Sequence, residues 1–225
     1  MGKNKLKKFA QMDTFEHVVQ PKRDILLSDE FELKGNWGKT IFKNDKPIIL
    51  ELGCGRGEYS VALAERFPEN NYIGIDIKGS RMWQGATAAI EKGLDNVAFL
   101  RISIEHIEAC FAQNEISEIW ITFPDPQIKY RRRSKRLTHP EFISKYEQFL
   151  KPDGVIHLKT DSAFLHGFTL GVIELEGHQV LDSTHNVYSS RTDNELLMNI
   201  KTYYEQLFHS KGFPITYIKF RPKRK

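Results

Sequence analysis

Cysteine is scarce in this chain of 225 residues, with only Cys54 and Cys110. Two cysteines without CxxC spacing exclude a disulfide framework and a thiolate zinc site. They suit a reducing compartment, so a cytoplasmic location is expected. The eight histidines form no HExxH pair, and no metal site is expected. Long apolar runs are missing too: nothing approaches the roughly 18 residues that a membrane span needs, and the lysine-rich start has no apolar signal core. No membrane association is expected. Repeats and low-complexity segments are likewise lacking.

Acid is missing only locally. Three stretches, 3–8, 129–136 and 219–225, hold no Asp or Glu but fifteen of the 33 lysines and arginines. The remainder therefore carries 18 basic against 29 acidic residues. An acidic body with basic patches at both ends and on one internal loop is an electrostatic footprint for a phosphate backbone, and nucleic acid is the expected partner. With 40% hydrophobic residues the chain can bury one sizeable core, and one catalytic-size domain is the expectation.

Residues 1–45 mix charge with scattered apolar positions and read as a basic, partly flexible arm with at most a short helix. From residue 46 to 225 strands and helices alternate. Strands are predicted over 48–52, 71–76, 97–102, 119–123, 155–160, 179–182 and 215–220. Helices are predicted over 58–67, 79–92, 105–111, 140–150, 162–176 (Ser162 as N-cap) and 193–210, with a polar loop over 185–191. Such alternation predicts an α/β fold, a mostly parallel, doubly wound sheet of seven strands with helices on both faces and an antiparallel last strand.

The first strand runs into Glu51-Leu52-Gly53-Cys54-Gly55-Arg56-Gly57, where glycine lets the backbone come close to a ligand. A dinucleotide fingerprint would put glycine at 58. Glu58 there disfavours a pyrophosphate, so a nucleoside cofactor without phosphates is expected. Asp76 ends the second strand, placed to bond the two hydroxyls of a ribose. Glu51 can attract a cationic group. Together Glu51, Gly53, Gly55 and Asp76 describe a site for S-adenosylmethionine, a ribose-bearing cation. Ser103, past the third strand, falls near the expected adenine and is equally a candidate helix N-cap.

The stretch Ile119 to Leu137 is the densest in chemistry. A buried strand ends in Phe123-Pro124-Asp125-Pro126, whose prolines are expected to hold Phe123 and Asp125 extended and to present the Asp125 carboxylate on a stiff loop. Six of the eight residues from Lys129 to Arg136 are basic. A charge run alone is often a solvated face, but this one directly follows the acidic loop.

ELGCGRG, YIGID, FPDP with its basic run, HLKTD at 157–161 and TYYE at 202–205 followed by Gly212 occur in the order seen in bacterial tRNA (guanine-N7)-methyltransferases. The chain resembles that family over residues 46–221. The resemblance implies a Rossmann-like class I methyltransferase fold and methyl transfer from S-adenosylmethionine to N7 of a variable-loop guanine in tRNA, by a monomer or homodimer. It implies that Glu51, Asp76, Ser103 and Asp125 serve the cofactor or the reacting atoms, with Asp125 catalytic. By the same resemblance Lys129, Asp161, Thr202, Tyr203, Tyr204 and Glu205 hold the guanine, and Arg131, Arg132, Arg133, Ser134, Lys135 and Arg136 the RNA backbone. The chain departs from the family pattern at Gln127, where Trp is usual, at Arg132 and Ser134 within the basic run, and at Ser103, where an acid is common. A small-molecule methyltransferase and a non-catalytic RNA-binding protein on the same fold are the alternative readings.

Overall fold

Each strand near the centre of the molecule feeds two cores. In the computed structural model, which describes residues 2–28, 30–191 and 194–224, strand β2 (Ile48–Leu52) sends Ile48, Leu50 and Leu52 into one hydrophobic core and Ile49 into another. Strand β5 (Ile116–Thr122) does the same with Ile119 and Ile121 against Trp120. Side chains alternate across a strand, so apolar residues at successive positions require cover on both faces.

The other strands are β1 (Val18–Val19), β3 (Asn71–Ile75), β4 (Val97–Leu100), β6 (Leu150–Thr160), β7 (Gln179–Thr184) and β8 (Thr216–Arg221). They form one sheet in the order β1-β4-β3-β2-β5-β6-β8-β7. Only β8 runs antiparallel to its neighbours, β6 and β7, as the sequence predicts for the last strand. Helices α1 (Gly2–Met12), α3 (Glu58–Arg66) and α4 (Gly79–Glu91) cover one face. Helix α2 (Arg23–Ser28), α5 (Pro140–Glu147), α6 (Ala163–Glu176) and a 3-10 segment, Ile104–Ala109, cover the other. No helix of the described residues is long and apolar enough to cross a membrane.

The sheet has eight described strands, not seven, because residues of the expected arm join it. Val18 and Val19 pair in parallel with Phe99 and Leu100. Met12 and Trp37 are fully buried, and the Trp37 indole donates to the Cys110 carbonyl at 3.0 Å. Burying two such side chains contributes about 2 kcal/mol or more each, which holds a segment whose sequence has no periodicity of its own.

The long helix expected from Asp193, a residue outside those described, is two helices, α8 (Glu195–Asn199) and α9 (Tyr203–Ser210). Asn194 caps the first through Leu197 N at 3.1 Å and Thr202 the second through Glu205 N at 3.1 Å. A cap side chain satisfies an orphan amide only when its own residue leaves helical geometry, so a Thr cap at 202 breaks the run. A one-turn helix, α7 (Val187–Ser190), occupies the predicted polar loop. Ser162 caps α6 as expected, accepting from Leu165 N at 3.2 Å.

Candidate active site

Strand β2 is paired on one side to β3 and on the other to β5, so the winding of the sheet reverses between β2 and β5. A crevice opens at the C-terminal ends of the strands at such a point. There the chain encloses a cleft of about 600 Å³, lined among others by Glu51, Gly53, Gly55, Asp76, Ser103, Asp125, Lys135, Asp161, Thr202 and Tyr204. Residues from the C-terminal ends of five strands, β2 to β6, and from the start of α9 thus meet in one place.

The glycine turn divides its labour. Gly53 N and Cys54 N donate to the Ile75 carbonyl at 2.8 and 3.0 Å, tying the turn to the end of β3. Gly53 has φ +74°, and a Cβ there would meet nothing within 4 Å; it would stand in the cleft. Gly57 is different: a Cβ would come within 2.6 Å of the Phe99 ring and 3.1 Å of Gly85 Cα. The third glycine therefore serves the packing of α3 on α4, and the first leaves room for a ligand close to the backbone.

Asp76 accepts from Gly55 N at 2.9 Å through one carboxylate oxygen and from Lys78 N at 2.8 Å through the other. Each oxygen retains lone pairs for a further donor such as a ribose hydroxyl. Glu51 is almost fully buried. Its carboxylate accepts from Ser60 N at 2.9 Å, Ser60 Oγ at 2.5 Å and Thr122 Oγ1 at 2.6 Å, the last bond crossing the switch point. Burial outweighs these bonds and pushes its pKa up to about 7. An open glycine cradle, a carboxylate with spare acceptor capacity and a second, buried carboxylate fit a cationic nucleoside such as S-adenosylmethionine. Ser103 stands at the N-cap of the 3-10 segment but makes no capping bond with its side chain, and it lines the cleft.

The Asp125 loop differs from its expected geometry. Phe123 has φ +47°, and Gln127 φ +46°. A following proline disfavours the right-handed helical basin, but that clash alone does not choose extended over left-handed backbone. Here Phe123 N donates to the Lys159 carbonyl at 2.8 Å, so the strand stays paired to its last residue and the chain turns out abruptly through a left-handed Phe. Such backbone costs about 1–3 kcal/mol per residue and persists only where surrounding structure enforces it. Asp125 is exposed in the cleft mouth, with one oxygen accepting from Gln127 N at 3.0 Å.

The basic run separates into two roles. Residues Tyr130–Lys135 form a 3-10 turn on which Arg131, Arg132 and Arg133 are exposed, with Ser134 partly covered. Lys129, also exposed, stands at the N-cap position of the turn without a side-chain capping bond and does not line the cleft. Arg136, expected on the RNA, is buried instead: it donates to the Gln127 carbonyl at 3.1 Å and lies over the rings of Phe164 and Phe168 at 4.8 and 4.4 Å. Arg can stack on aromatic faces and donate at once, which is how a guanidinium is accommodated here, although its Nε has no hydrogen-bond partner among the described residues. Lys135 pairs with Glu105.

The segment 202–205 is also divided. Thr202 and Tyr204 line the cleft, and Arg81 donates to the Tyr204 hydroxyl at 3.5 Å. Tyr203 lies on the outer rim, with the Arg56 guanidinium 4.4 Å over its ring. Glu205, expected on the guanine, is fully buried away from the cleft. It pairs with Lys159 Nζ at 2.7 Å and accepts from the Tyr188 hydroxyl at 2.8 Å. Lys159 Nζ also donates to the carbonyls of Leu197 and Ile200 at 2.8 and 3.2 Å, which takes up the open end of α8. Asp161 is free to serve the cleft because Ser162 does the capping, and burial raises its pKa from the ordinary Asp value.

Lys159, Ser60, Thr122 and Arg81 escape a sequence reading. A Lys inside the apolar strand 155–160 and a Thr at the end of another were the only available signals. Neither cysteine is poised as a nucleophile: burial raises the Cys54 thiol well above its ordinary value and Cys110 to about 12. Among the described residues no group of three or more His, Cys, Asp or Glu side chains could hold a metal ion.

A family model described as "Putative methyltransferase" matches residues 45–218. The chain is 55% identical to the tRNA (guanine-N(7)-)-methyltransferase of Christiangramia forsetii, covering 99% of each chain. It is 52% identical to the protein of the same name from Bacteroides thetaiotaomicron, covering 98% of this chain and 86% of that one. Among solved structures, the 16S rRNA (adenine(1408)-N(1))-methyltransferase from Catenulisporales acidiphilia superposes with TM-score 0.60 at 17% identity, over 84% of this chain and 93% of the other. That likeness concerns the fold.

Proposed function

The chain belongs to the tRNA (guanine-N(7)-)-methyltransferase family, and on that premise we propose how its cleft directs a methyl group to N7 of a guanine in tRNA. S-adenosylmethionine is the methyl donor and supplies an electrophilic methyl carbon on a positively charged sulfur. Asp76 would hold the ribose hydroxyls, the Gly53–Gly55 backbone would lie against the cofactor, and Ser103 would face the adenine. Glu51, ionised, would oppose the sulfonium charge, with Ser60 and Thr122 fixing its orientation.

Guanine N7 has a lone pair and no proton, so its attack needs alignment and charge stabilisation rather than a strong base. The methylated ring is cationic. Asp125, held by its own turn between two prolines at the cleft mouth, would stabilise that charge as it develops. Asp161 would accept hydrogen bonds from the N–H groups of guanine's Watson–Crick edge, an edge that adenine does not reproduce. Lys129 would act at the rim, while Arg131, Arg132 and Arg133 would neutralise tRNA phosphates. A monomer or homodimer in the cytoplasm, where the two free thiols would stay reduced, belongs to this reading.

The observation that supports this reading most is the meeting of Asp125, Asp161 and Thr202 with the glycine turn and Asp76 in one cleft. The test is transfer of labelled methyl to an unmodified tRNA transcript and to the same transcript made with 7-deazaguanine. Label in the first and none in the second is expected. Equal label in both would place the reaction on another atom.

A further inference from the structure

We propose that Tyr130 is a stacking platform for an unpaired base of the tRNA beside the target guanine. The inference rests on the tRNA reading above and adds a substrate contact to it. Tyr130 is 77% exposed, against 44% for Tyr203 and 39% for Tyr204. The Arg133 guanidinium lies 4.3 Å from the centre of one face of its ring, and the exposure leaves the opposite face to solvent. Ile128, two residues earlier, is 68% exposed on the same loop.

A single exposed apolar side chain carries no message on its own. Three features set this one apart. First, the loop is anchored across its span: the buried Arg136 donates to the Gln127 carbonyl and lies over the Phe164 and Phe168 rings. A ring on a fixed support loses little entropy when a base settles on it. Second, Tyr130 sits among Lys129, Arg131, Arg132 and Arg133, in a stretch 126–137 that has no acid, and the turn starts three residues after Gln127 at the cleft mouth. Third, a guanidinium on one face of an aromatic ring polarises it and leaves a flat sandwich open on one side, the arrangement by which splayed-out bases are held without sequence readout.

Stacking and phosphate contact differ in their response to salt, and that difference supplies the test. tRNA affinity is measured at several salt concentrations for the wild type, Tyr130→Ala, Tyr130→Phe and Arg133→Gln, together with S-adenosylmethionine affinity. Tyr130→Ala is expected to weaken tRNA binding about tenfold at every salt concentration, with the slope of log affinity against log salt unchanged. Tyr130→Phe should stay close to wild type, cofactor affinity should not change, and Arg133→Gln should lower the slope. Wild-type affinity in Tyr130→Ala overturns the inference. So does a loss in Tyr130→Ala that comes with the reduced slope of Arg133→Gln, because Tyr130 would then act only by holding a phosphate-binding cation. A wild-type protein that methylates tRNA while Tyr130→Ala binds it normally leaves the functional reading standing and removes this contact alone.

Discussion

Replacing Lys159 by Met should cost about 3–5 kcal/mol, because it strands a charge inside the protein. Lys159 and Glu205 are both fully buried, and the ammonium is shared among Glu205 and the carbonyls of Leu197 and Ile200, all within 3.2 Å. Without it the Glu205 carboxylate keeps only the Tyr188 hydroxyl as donor among the bonds described. Total stability for a domain of this kind is on the order of 5–15 kcal/mol, so the loss is a large share of it. With a urea slope of about 2–3 kcal/mol per molar, the midpoint should fall by about 1–2.5 M. Removing the second charge as well should cost less than the two single losses together: Lys159→Met with Glu205→Met leaves the Leu197 and Ile200 carbonyls and the Tyr188 hydroxyl without their partners, at about 1 kcal/mol or more each, but leaves no buried ion. The assay is equilibrium urea unfolding at neutral pH for the wild type, both single variants and the double. A single variant within about 1 kcal/mol of wild type, or a double variant that loses the sum of the two singles, would refute the claim that the pair is a buried clamp on the α8–α9 link.

Asp76→Ala should weaken S-adenosylmethionine binding by titration calorimetry and leave tRNA affinity nearly intact; unchanged cofactor affinity would move the ribose site elsewhere. Asp125→Asn should keep both ligands bound and lower single-turnover methyl transfer on the order of a hundredfold, because it removes a charge facing a developing cation. Replacing Arg131, Arg132 and Arg133 by Gln should reduce the salt slope of tRNA binding by about 0.7–0.9 per lost phosphate contact, and an unchanged slope would make the turn a solvated face. Glu51 carries a pH prediction: its folded pKa of about 7 lies above the ordinary 4.5, so between those values the native state holds the extra proton. Its contribution to stability is then fullest below 4.5 and is lost as pH rises toward 7, by on the order of 3 kcal/mol. Glu51→Gln should flatten the wild-type fall in urea midpoint across that window, and a fall of the same size in the variant would assign it to another group.

Much of this architecture is legible in the chain because its signals are local. Apolar runs such as Ile48–Leu52, the glycine turn and a strand ending in Asp76 each state their own structure, and the parallel alternation follows from their order. The two-residue strand Val18–Val19 is not legible, since only pairing to Phe99 and Leu100 makes it a strand. The same limit governs the charged residues. Arg136 reads like its neighbours in a basic run, yet its position at the end of the 3-10 turn points it inward onto Phe164 and Phe168. Glu205 and Lys159 lie 46 positions apart, and each looks like a surface or ligand-binding charge until the fold puts them together. Phe123 shows the limit of dihedral rules: the proline after it excludes one basin, and the ladder bond to Lys159 selects among the rest.

The central claim is that this cleft methylates guanine N7 in tRNA, and mass mapping of nucleosides tests it most directly. Unmodified tRNA is incubated with the protein and S-adenosylmethionine, digested, and its methylated nucleosides are identified and located. N7-methylguanosine is expected at a single position, and is lost when Asp125 is replaced by Asn under limited turnover. Methyl groups on another atom, or none at all with both ligands bound, would contradict it.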